Sequence, residues 1–307
     1  MSVTGYLDGQ RRDTRTARSR LQIRMLVKAA RPRQAIKNLI VFAAPFAARA
    51  FPEPQVLGKA LIAAVAFSAA GAGIYLLNDV IDVSADRAHP TKRLRPVAAG
   101  LLSPQWAIAG SALLLLAGGL ISFLATPRLI WVIGVYIQLQ IVYCLWLRSQ
   151  PVIDLCLVST GFVLRVVAGA VATDVPLSSW LLFATAFGSL FMVSGRRYAE
   201  LSLHEQGSKH TRTSLEHYTS SYIRFVWSGS AIMSILAYLM WTSQSLPQTR
   251  PLYTGVAAAL FIIAILRYAL DVDRRDAGTP ENIAFSDRVL QALAFLWLVF
   301  TGLALYS

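Results

Sequence analysis

The sequence predicts an all-α integral membrane protein with about nine transmembrane helices and polar loops on the cytoplasmic side. Hydrophobic residues make up 55% of the 307 residues and charged residues only 15%, whereas a soluble domain usually carries about a quarter. Apolar runs of roughly 20 residues, long enough to cross the hydrocarbon layer of a bilayer, recur along the chain. Together these features exclude a soluble multi-domain protein and indicate a helical bundle.

The first 20 residues are polar and rich in arginine, and they lack the apolar core of a signal peptide. We expect residues 1–20 to form a disordered basic cytoplasmic arm that is attracted to anionic lipid headgroups. Residues 21–30 mix apolar side chains with Arg24 and Lys28, which predicts an interfacial helix ended by Pro32. Residues 21–307 are expected to form a single transmembrane helical catalytic domain.

Apolar stretches follow one another from residue 36 to the C-terminus. The first stretch is short, and Pro45 inside it is expected to kink the helix. The predicted spans are 36–51, 56–80, 105–125, 129–147, 152–172, 178–194, 221–243, 252–270 and 287–306.

Lysine and arginine residues set the predicted orientation, because they accumulate on cytoplasmic loops. With a cytoplasmic N-terminus, the external loops of the whole chain contain only Arg49, Lys59, Arg128 and Arg250 out of 29 basic residues. The sequence therefore predicts a multi-pass protein of the cell membrane whose active site faces the cytoplasm. This arrangement also accounts for the net charge of +13, and without a nucleic-acid motif we expect no nucleic-acid partner.

The most informative motif lies at the cytoplasmic end of the second span, within residues 78–100. On a continuing helix, at about 100° per residue, Asn78, Asp79, Asp82 and Asp86 share one face. Three carboxylates on one face repel one another unless a cation neutralises them. Oxygen ligands suit Mg²⁺, which often binds through one or two carboxylates plus substrate phosphates. The three aspartates are therefore the predicted Mg²⁺ ligands and catalytic residues.

Basic residues follow the acidic motif directly. Lys92, Arg93 and Arg95 are predicted to bind phosphate groups beside the metal. The alternative is a solvated loop in which the aspartates pair with these neighbouring cations. The single-face geometry and the position at the membrane edge favour the metal–diphosphate site.

These residues match the N-D-x-x-D-x-x-x-D motif of the UbiA superfamily of intramembrane prenyltransferases, which the chain resembles over nearly its whole length after residue 30. The resemblance implies a nine-helix bundle of the UbiA type. It is closest to a branch whose members transfer phosphoribosyl groups to a polyprenyl phosphate. The segments that carry this closer resemblance are RPRQAIKNLIVFAAPF (31–46), HPTKRLRPVAAG (89–100), GFVLRVVAGA (161–170) and GRRYAEL (195–201).

The resemblance implies an enzyme that moves 5-phosphoribosyl from phosphoribosyl pyrophosphate (PRPP) to a polyprenyl phosphate such as decaprenyl phosphate, releasing pyrophosphate. This would be a step toward the arabinose donor lipid of cell-wall arabinan synthesis. Mg²⁺ would neutralise the leaving diphosphate. The acceptor is already an anionic phosphate, so no strong general base is needed.

The loop after the sixth span departs from ordinary members of the superfamily, which typically have a second aspartate-rich motif there. This chain has Arg196, Arg197, Tyr198 and Glu200 instead. Additional cations suit a donor with an additional phosphate, and arginine binds phosphate oxygens in bidentate fashion. These four are predicted donor-binding residues. The alternatives are that the arginines are membrane anchors and that Tyr198 is a packing residue.

Two further groups of polar residues belong to the predicted site. Arg165 lies inside the fifth span, where an arginine is costly and by default functional, so we expect it to hold a phosphate. Asp154 is its alternative partner but lies roughly 16 Å away along a helix. Arg33, Lys37 and Asn38 start the first span, where they either guide the lipid phosphate or, for the two cations, snorkel to the interface.

Two other functions compete with this prediction. One is a prenyltransferase of the same superfamily that uses a prenyl diphosphate donor. The other is a transporter or lipid-binding membrane protein without chemistry, although no internal repeat of the transporter kind is visible. Homo-oligomerisation is compatible with the sequence, and the prenyl chain length depends on tertiary packing.

Overall fold

The computed structural model describes residues 20–205, 217–246, 250–274 and 286–307, which are almost entirely helical. Except for Arg20, the predicted N-terminal arm lies outside the described residues. The helices are α1 (20–29), α2 (Ala43–Ala47), α3 (Pro54–Ile81), α4 (Val83–Ala88), α5 (Pro104–Ser122), α6 (Leu129–Leu145), α7 (Ile153–Thr173), α8 (Ser179–Glu205), α9 (Ser220–Ser245), α10 (Pro251–Asp273) and α11 (Arg288–Tyr306).

The first predicted span differs from the structure. Residues 36–51 do not form one kinked helix: the 3₁₀ helix Pro32–Phe42 is followed by α2, which has only five residues. Pro45 explains the change, because it has no N–H to donate to the Val41 carbonyl and its ring crowds that carbonyl. The later predicted spans coincide with α3 and α5–α11 to within a few residues, apart from a longer C-terminal end of α8.

The chain is a multi-pass membrane protein. In the described part of the chain, six helices are long and apolar enough to cross a bilayer: α3, α5, α7, α9, α10 and α11. Helix α6 is also apolar but has 17 residues. Large apolar side chains such as Trp131, Phe225 and Phe295 are 66–77% exposed, as expected of surfaces that face lipid. The total of nine helices stays a prediction.

Several helices begin at residues whose side chains accept hydrogen bonds from the free backbone N–H groups of the first turn. Others begin at proline, which has no N–H to satisfy. Ser103 accepts a hydrogen bond from the Trp106 N–H, and Pro104 follows it as the first residue of α5. Asp287 accepts from the first N–H groups of α11 and also pairs with Arg267, at 2.6 Å between Nε and Oδ2. The hydrogen bond from Arg267 lowers the pKa of Asp287 to about 2.

The described chain forms two compact units, and one of them comprises the residues up to Leu39 together with Ala64–Leu145. Small residues let its helices pack closely. The Ser111 hydroxyl of α5 donates to the Gly73 carbonyl of α3 at 2.7 Å, and a Cβ on Gly118 would lie 2.9 Å from the Ala66 carbonyl oxygen. This packing holds the middle of α3 against α5.

The other unit comprises Ile40–Ala63 and Trp146–Ser307. Its core contains stacked aromatic rings: Tyr198 lies on Trp227 with ring centroids 5.2 Å apart, and Phe191 lies on the same indole at 5.9 Å. Gly169 of α7 faces the Val41 carbonyl so closely that a Cβ there would be 1.9 Å from the oxygen. The expectation of a single catalytic domain over 21–307 stays a prediction.

Candidate functional site

The acidic motif occupies a junction between two helices. Asn78 and Asp79 lie in the last turn of α3, Asp82 separates the helices, and Asp86 lies in α4. The Asp82 N–H donates to the Asn78 carbonyl at 2.9 Å, and the Asp86 N–H donates to the Asp82 carbonyl at 2.8 Å. Helical pitch therefore continues through the interruption, and Asp79 and Asp86 remain on one side.

Arg95 bridges these two aspartates. Its Nη1 lies 2.7 Å from Asp86 Oδ2 and 3.3 Å from Asp79 Oδ1. The two aspartates are 3% and 1% exposed, so their charges are removed from water and need a counter-charge. The structure thus brings three predicted site residues together. They form an ion-paired cluster.

A second counter-charge comes from Arg31, which the sequence analysis did not identify as a site residue. Its Nη2 lies 2.5 Å from Asp79 Oδ1, and its guanidinium lies over the Tyr75 ring, 4.9 Å from the centroid. The backbone at Arg31 has a φ of 54°, a left-handed turn at the end of α1. The sequence contained one indication of this role, because Arg31 stands between the predicted helix 21–30 and Pro32, where a helix ends.

A cavity of about 320 Å³ opens beside this cluster. Three cationic side chains line it, together with the buried carboxylate of Asp79. Asp79 Oδ2 has no hydrogen-bond partner among the described residues, although it is buried. The cavity therefore suits an anionic ligand, and a cation that reached the second oxygen of Asp79 would displace no hydrogen bond of the described residues. The lining residues are Lys28, Ala29, Arg31, Asp79, Thr91, Leu94, Arg95 and Pro96.

The predicted three-carboxylate metal cluster is not preformed. Within the described ranges, no three His, Cys, Asp or Glu side chains lie close enough together to hold an ion. Asp79 and Asp86 are held by arginines, and Asp82 lies at the break between α3 and α4. The oxygen of Asp79 still fits Mg²⁺, which needs only one or two carboxylates when substrate phosphates complete its shell. Metal ligation by the three aspartates stays a prediction.

The other basic residues of the motif lie outside the described cavity lining. Lys92 and Arg93 belong to a short 3₁₀ turn, Lys92–Leu94, and Arg93 is exposed. The backbone N–H groups of Thr91 and Lys92 donate to His89 Nδ1 at 3.3 and 3.4 Å, which folds this turn back on itself. Phosphate binding by Lys92 and Arg93 stays a prediction.

The predicted lipid-phosphate residues occupy the 3₁₀ helix Pro32–Phe42. Asn38 is 4% exposed, and its Nδ2 donates to Ser68 Oγ of α3 at 2.8 Å, so it joins these two segments. Arg33 is exposed and Lys37 is half-buried, and neither lines the described cavity. Their predicted contact with the lipid phosphate stays a prediction.

In the second unit, Arg197 is an internal counter-charge, and phosphate binding by Arg197 stays a prediction. Its side chain is 4% exposed, and its Nε lies 3.4 Å from Oδ2 of the fully buried Asp154. Its Nη1 lies 3.0 Å from Glu200 Oε2. The Tyr218 hydroxyl donates to Asp154 Oδ1 at 2.7 Å, and burial raises the pKa of that phenol. Arg197 is therefore committed to neutralising a buried carboxylate.

Arg196 is the more accessible arginine of the pair. Its side chain is 35% exposed, and its Nε donates to Glu200 Oε1 at 2.9 Å. Glu200 thus binds both arginines, one with each oxygen. The terminal nitrogens of Arg196 make no hydrogen bond within the described residues, so they can receive an anion. Of the two arginines, Arg196 is the one suited to a phosphate.

Tyr198 is placed in the core of its unit. Besides stacking on Trp227, its hydroxyl accepts a hydrogen bond from Arg224 Nη2 at 2.8 Å and donates to Asp273 Oδ1 at 3.4 Å. The side chain is 6% exposed. Tyr198 therefore packs in the core of its unit, and donor binding by Tyr198 stays a prediction.

Arg165 lies in the middle of α7 and is 8% exposed. Its Nη1 donates to the Gly161 carbonyl at 2.6 Å, and its guanidinium is 5.8 Å from the centroid of the Phe162 ring. Asp154 contacts Arg197 and Tyr218, in keeping with the long separation from Arg165 along the helix. Phosphate binding by Arg165 stays a prediction.

Known proteins of similar sequence point to one family. The profile of the UbiA prenyltransferase family matches residues 39–299. A decaprenyl-phosphate phosphoribosyltransferase of Mycolicibacterium smegmatis is 48% identical over 294 residues, covering 92% of each chain. The protein of the same name from Corynebacterium glutamicum is also 48% identical, over 92% of this chain and 86% of its own.

Comparison with solved structures supports the same fold. A UbiA homolog from Archaeoglobus fulgidus bound to GPP and Mg²⁺ superposes with a TM-score of 0.69, covering 92% of this chain and 99% of the other at 16% identity. A digeranylgeranylglyceryl phosphate synthase gives a TM-score of 0.64 at 16% identity, covering 92% of this chain and 98% of the other. At this identity the likeness concerns the fold.

Proposed function

Because the chain belongs to the UbiA prenyltransferase family, we propose that it transfers 5-phosphoribosyl from PRPP to a polyprenyl phosphate and releases pyrophosphate. The two relatives at 48% identity, each named decaprenyl-phosphate phosphoribosyltransferase, support this activity and indicate decaprenyl phosphate as the acceptor. The product would feed the synthesis of an arabinose donor lipid for cell-wall arabinan.

The observation that carries the proposal is the charge of the cavity in the first unit. Lys28, Arg31 and Arg95 line it with one carboxylate, Asp79. PRPP has a 5-phosphate as well as a diphosphate, whereas a prenyl diphosphate has the diphosphate alone. Arg31 and Arg95 balance Asp79 and Asp86, so Lys28 gives the site a net positive charge, and bound Mg²⁺ would add to it. This charge favours the donor with more phosphate groups.

The chemical task is to stabilise the leaving diphosphate while positive charge develops at ribose C1. Lys28, Arg31 and Arg95 bind diphosphate oxygens, and this preorganised field lowers the energy of the charge that develops. The acceptor phosphate attacks C1 as an anion and needs no proton removed. Asp79 and Asp86, with Asp82 close to them in the chain, would hold Mg²⁺. When bound, the ion supplies Lewis-acid stabilisation of the diphosphate.

The reaction takes place at the cytoplasmic face of the cell membrane. The basic residues of the chain gather in the loops predicted to be cytoplasmic, where the soluble donor is available. The polyprenyl chain is apolar and remains in the bilayer, so only its phosphate must reach the polar site.

A donor screen tests the proposal. Purified protein is incubated with decaprenyl phosphate, Mg²⁺ and either labelled PRPP or labelled prenyl diphosphate, and the lipid product is separated and counted. We expect label to enter the lipid from PRPP, to stop on addition of EDTA and to return with excess Mg²⁺. Transfer from prenyl diphosphate but not from PRPP would establish the other donor class and refute the proposal.

A further inference from the structure

We propose that Arg31 changes partner during donor binding: it neutralises Asp79 in the empty cavity and moves to a donor phosphate when a divalent cation takes that carboxylate. This inference rests on the proposed function, since the donor is taken to be PRPP. It adds to that function a coupling between donor binding and metal binding, carried by Arg31.

Asp79 depends on Arg31 more than on any other cation. Arg31 Nη2 is 2.5 Å from Asp79 Oδ1, whereas Arg95 Nη1 is 3.3 Å from that oxygen and lies closer, at 2.7 Å, to Asp86. A carboxylate that is 1% exposed needs such a partner, because an isolated buried charge is strongly unfavourable. Arg31 therefore supplies the charge that a metal ion would otherwise supply.

Arg31 and a metal ion compete for the same carboxylate. Asp79 lines the cavity, and its Oδ2 has no hydrogen-bond partner among the described residues. A cation that binds this carboxylate therefore meets a guanidinium already bound to Oδ1. Two cations on one buried carboxylate repel each other strongly at such short range. Without another anion to receive Arg31, metal binding is weakened.

The structure allows Arg31 to leave Asp79. Its side chain is 29% exposed and lines the cavity, whereas the aspartate is buried. Its remaining guanidinium nitrogens make no hydrogen bond in the described part of the chain, so they can bind an incoming phosphate. The side chain already lines the cavity, so a change of its rotamer can bring it to a phosphate bound there. Arg31 thus moves to a donor phosphate while the metal ion binds Asp79.

This exchange predicts an unusual pair of effects for Arg31→Gln. Removing the competing cation should raise the affinity for Mn²⁺, used as a probe, about five- to tenfold in the absence of donor. The same change should lower the affinity for PRPP in the presence of Mn²⁺ by a similar factor, because one phosphate contact is lost. A residue with only a structural role would weaken both.

The experiment uses the full chain in detergent or lipid nanodiscs. Electron paramagnetic resonance measures Mn²⁺ binding without donor, and calorimetry measures PRPP binding with Mn²⁺ present. Arg24→Gln is the matched control and should leave both affinities unchanged, because Arg24 is an exposed arginine of the preceding helix α1 that does not line the cavity. Arg31→Lys keeps a positive charge beside Asp79 but lacks the planar guanidinium group that binds phosphate with two hydrogen bonds. This variant should retain wild-type Mn²⁺ affinity and bind PRPP more weakly.

The outcomes separate the two proposals. If wild-type protein binds Mn²⁺ but not PRPP, the assigned donor is wrong. If wild-type protein binds PRPP but Arg31→Gln weakens or leaves unchanged its binding of Mn²⁺, the exchange is refuted while the function stands. If Arg31→Gln does not fold, Arg31→Lys decides: higher Mn²⁺ affinity than wild type, or unchanged PRPP affinity, refutes the exchange.

Discussion

Asp154 and Arg197 show how a buried charge fixes the role of a residue. Asp154 is fully buried and is neutralised by Arg197, while Tyr218 donates to its other oxygen. The Tyr218 hydroxyl also accepts the N–H of Val152, a β-branched residue with a φ of 67° at the start of α7. This network holds a strained turn in place and joins α7 to α8.

Arg197→Gln should therefore destabilise the protein strongly. The substitution leaves Asp154 buried without its counter-charge, which typically costs about 3–5 kcal/mol. Denaturant or thermal unfolding in detergent measures the loss. The matched control is Arg196→Gln, at a side chain that is 35% exposed, where the stability should change by less than about 1 kcal/mol. Equal stability losses in the two variants would contradict the structural role of Arg197.

For individual residues, the sequence predicted part of the candidate site. Helical spacing was sufficient to place Asp79 and Asp86 on one side, because the pitch continues through the junction at Asp82. It did not identify Arg31, whose contact depends on a left-handed turn. It also could not show that Arg197 is committed to Asp154, a residue 43 positions earlier in another helix.

The segment before α3 is the clearest departure at the scale of elements. Hydropathy predicted a span over 36–51, but a proline breaks the hydrogen bonding there and produces a 3₁₀ helix and a five-residue α-helix. The Val41 carbonyl, left without the N–H of residue 45, faces Gly169 of α7. Hydropathy measures apolar content and carries no information on such a backbone contact.

Gly169→Ala tests this contact. A Cβ would lie 1.9 Å from the Val41 carbonyl oxygen, so the two segments must separate, with an expected loss of stability of about 1–3 kcal/mol. Gly255→Ala is the matched control, since a Cβ in α10 meets nothing within 4 Å and alanine favours the helix. Thermal unfolding of both variants measures the difference. Unchanged stability of Gly169→Ala would show that Gly169 and the Val41 carbonyl do not pack as closely as the structure places them.

For the whole molecule, the sequence predicted the helical class and the positions of the long helices well. Apolar runs report membrane helices reliably, because every backbone polar group in lipid must be bonded within the helix. The division into two compact units was not predicted, since it depends on which helices pack together. A helix that is apolar on all sides can face lipid on any of them, so its sequence does not specify which helices are its neighbours.

The predicted orientation can be measured by cysteine labelling. Cys144 and Cys156 are first replaced, and then Glu53→Cys or Ser84→Cys is introduced at an exposed position. A membrane-impermeant maleimide should label position 53 in intact cells, whereas position 84 should react only after the membrane is opened. Labelling of position 84 from outside would place the acidic motif on the external face.

The ion pairs of Asp79 and Asp86 have a consequence for biogenesis. Two carboxylates are balanced by two guanidinium groups from the same chain, so the site carries its own counterions. A newly made chain can therefore insert and fold before it meets a metal ion or a sugar phosphate, unlike small proteins that a structural ion holds together. Under the proposed Mg²⁺-dependent mechanism, shortage of the ion would stop catalysis and leave the protein folded, so that activity returns with the ion.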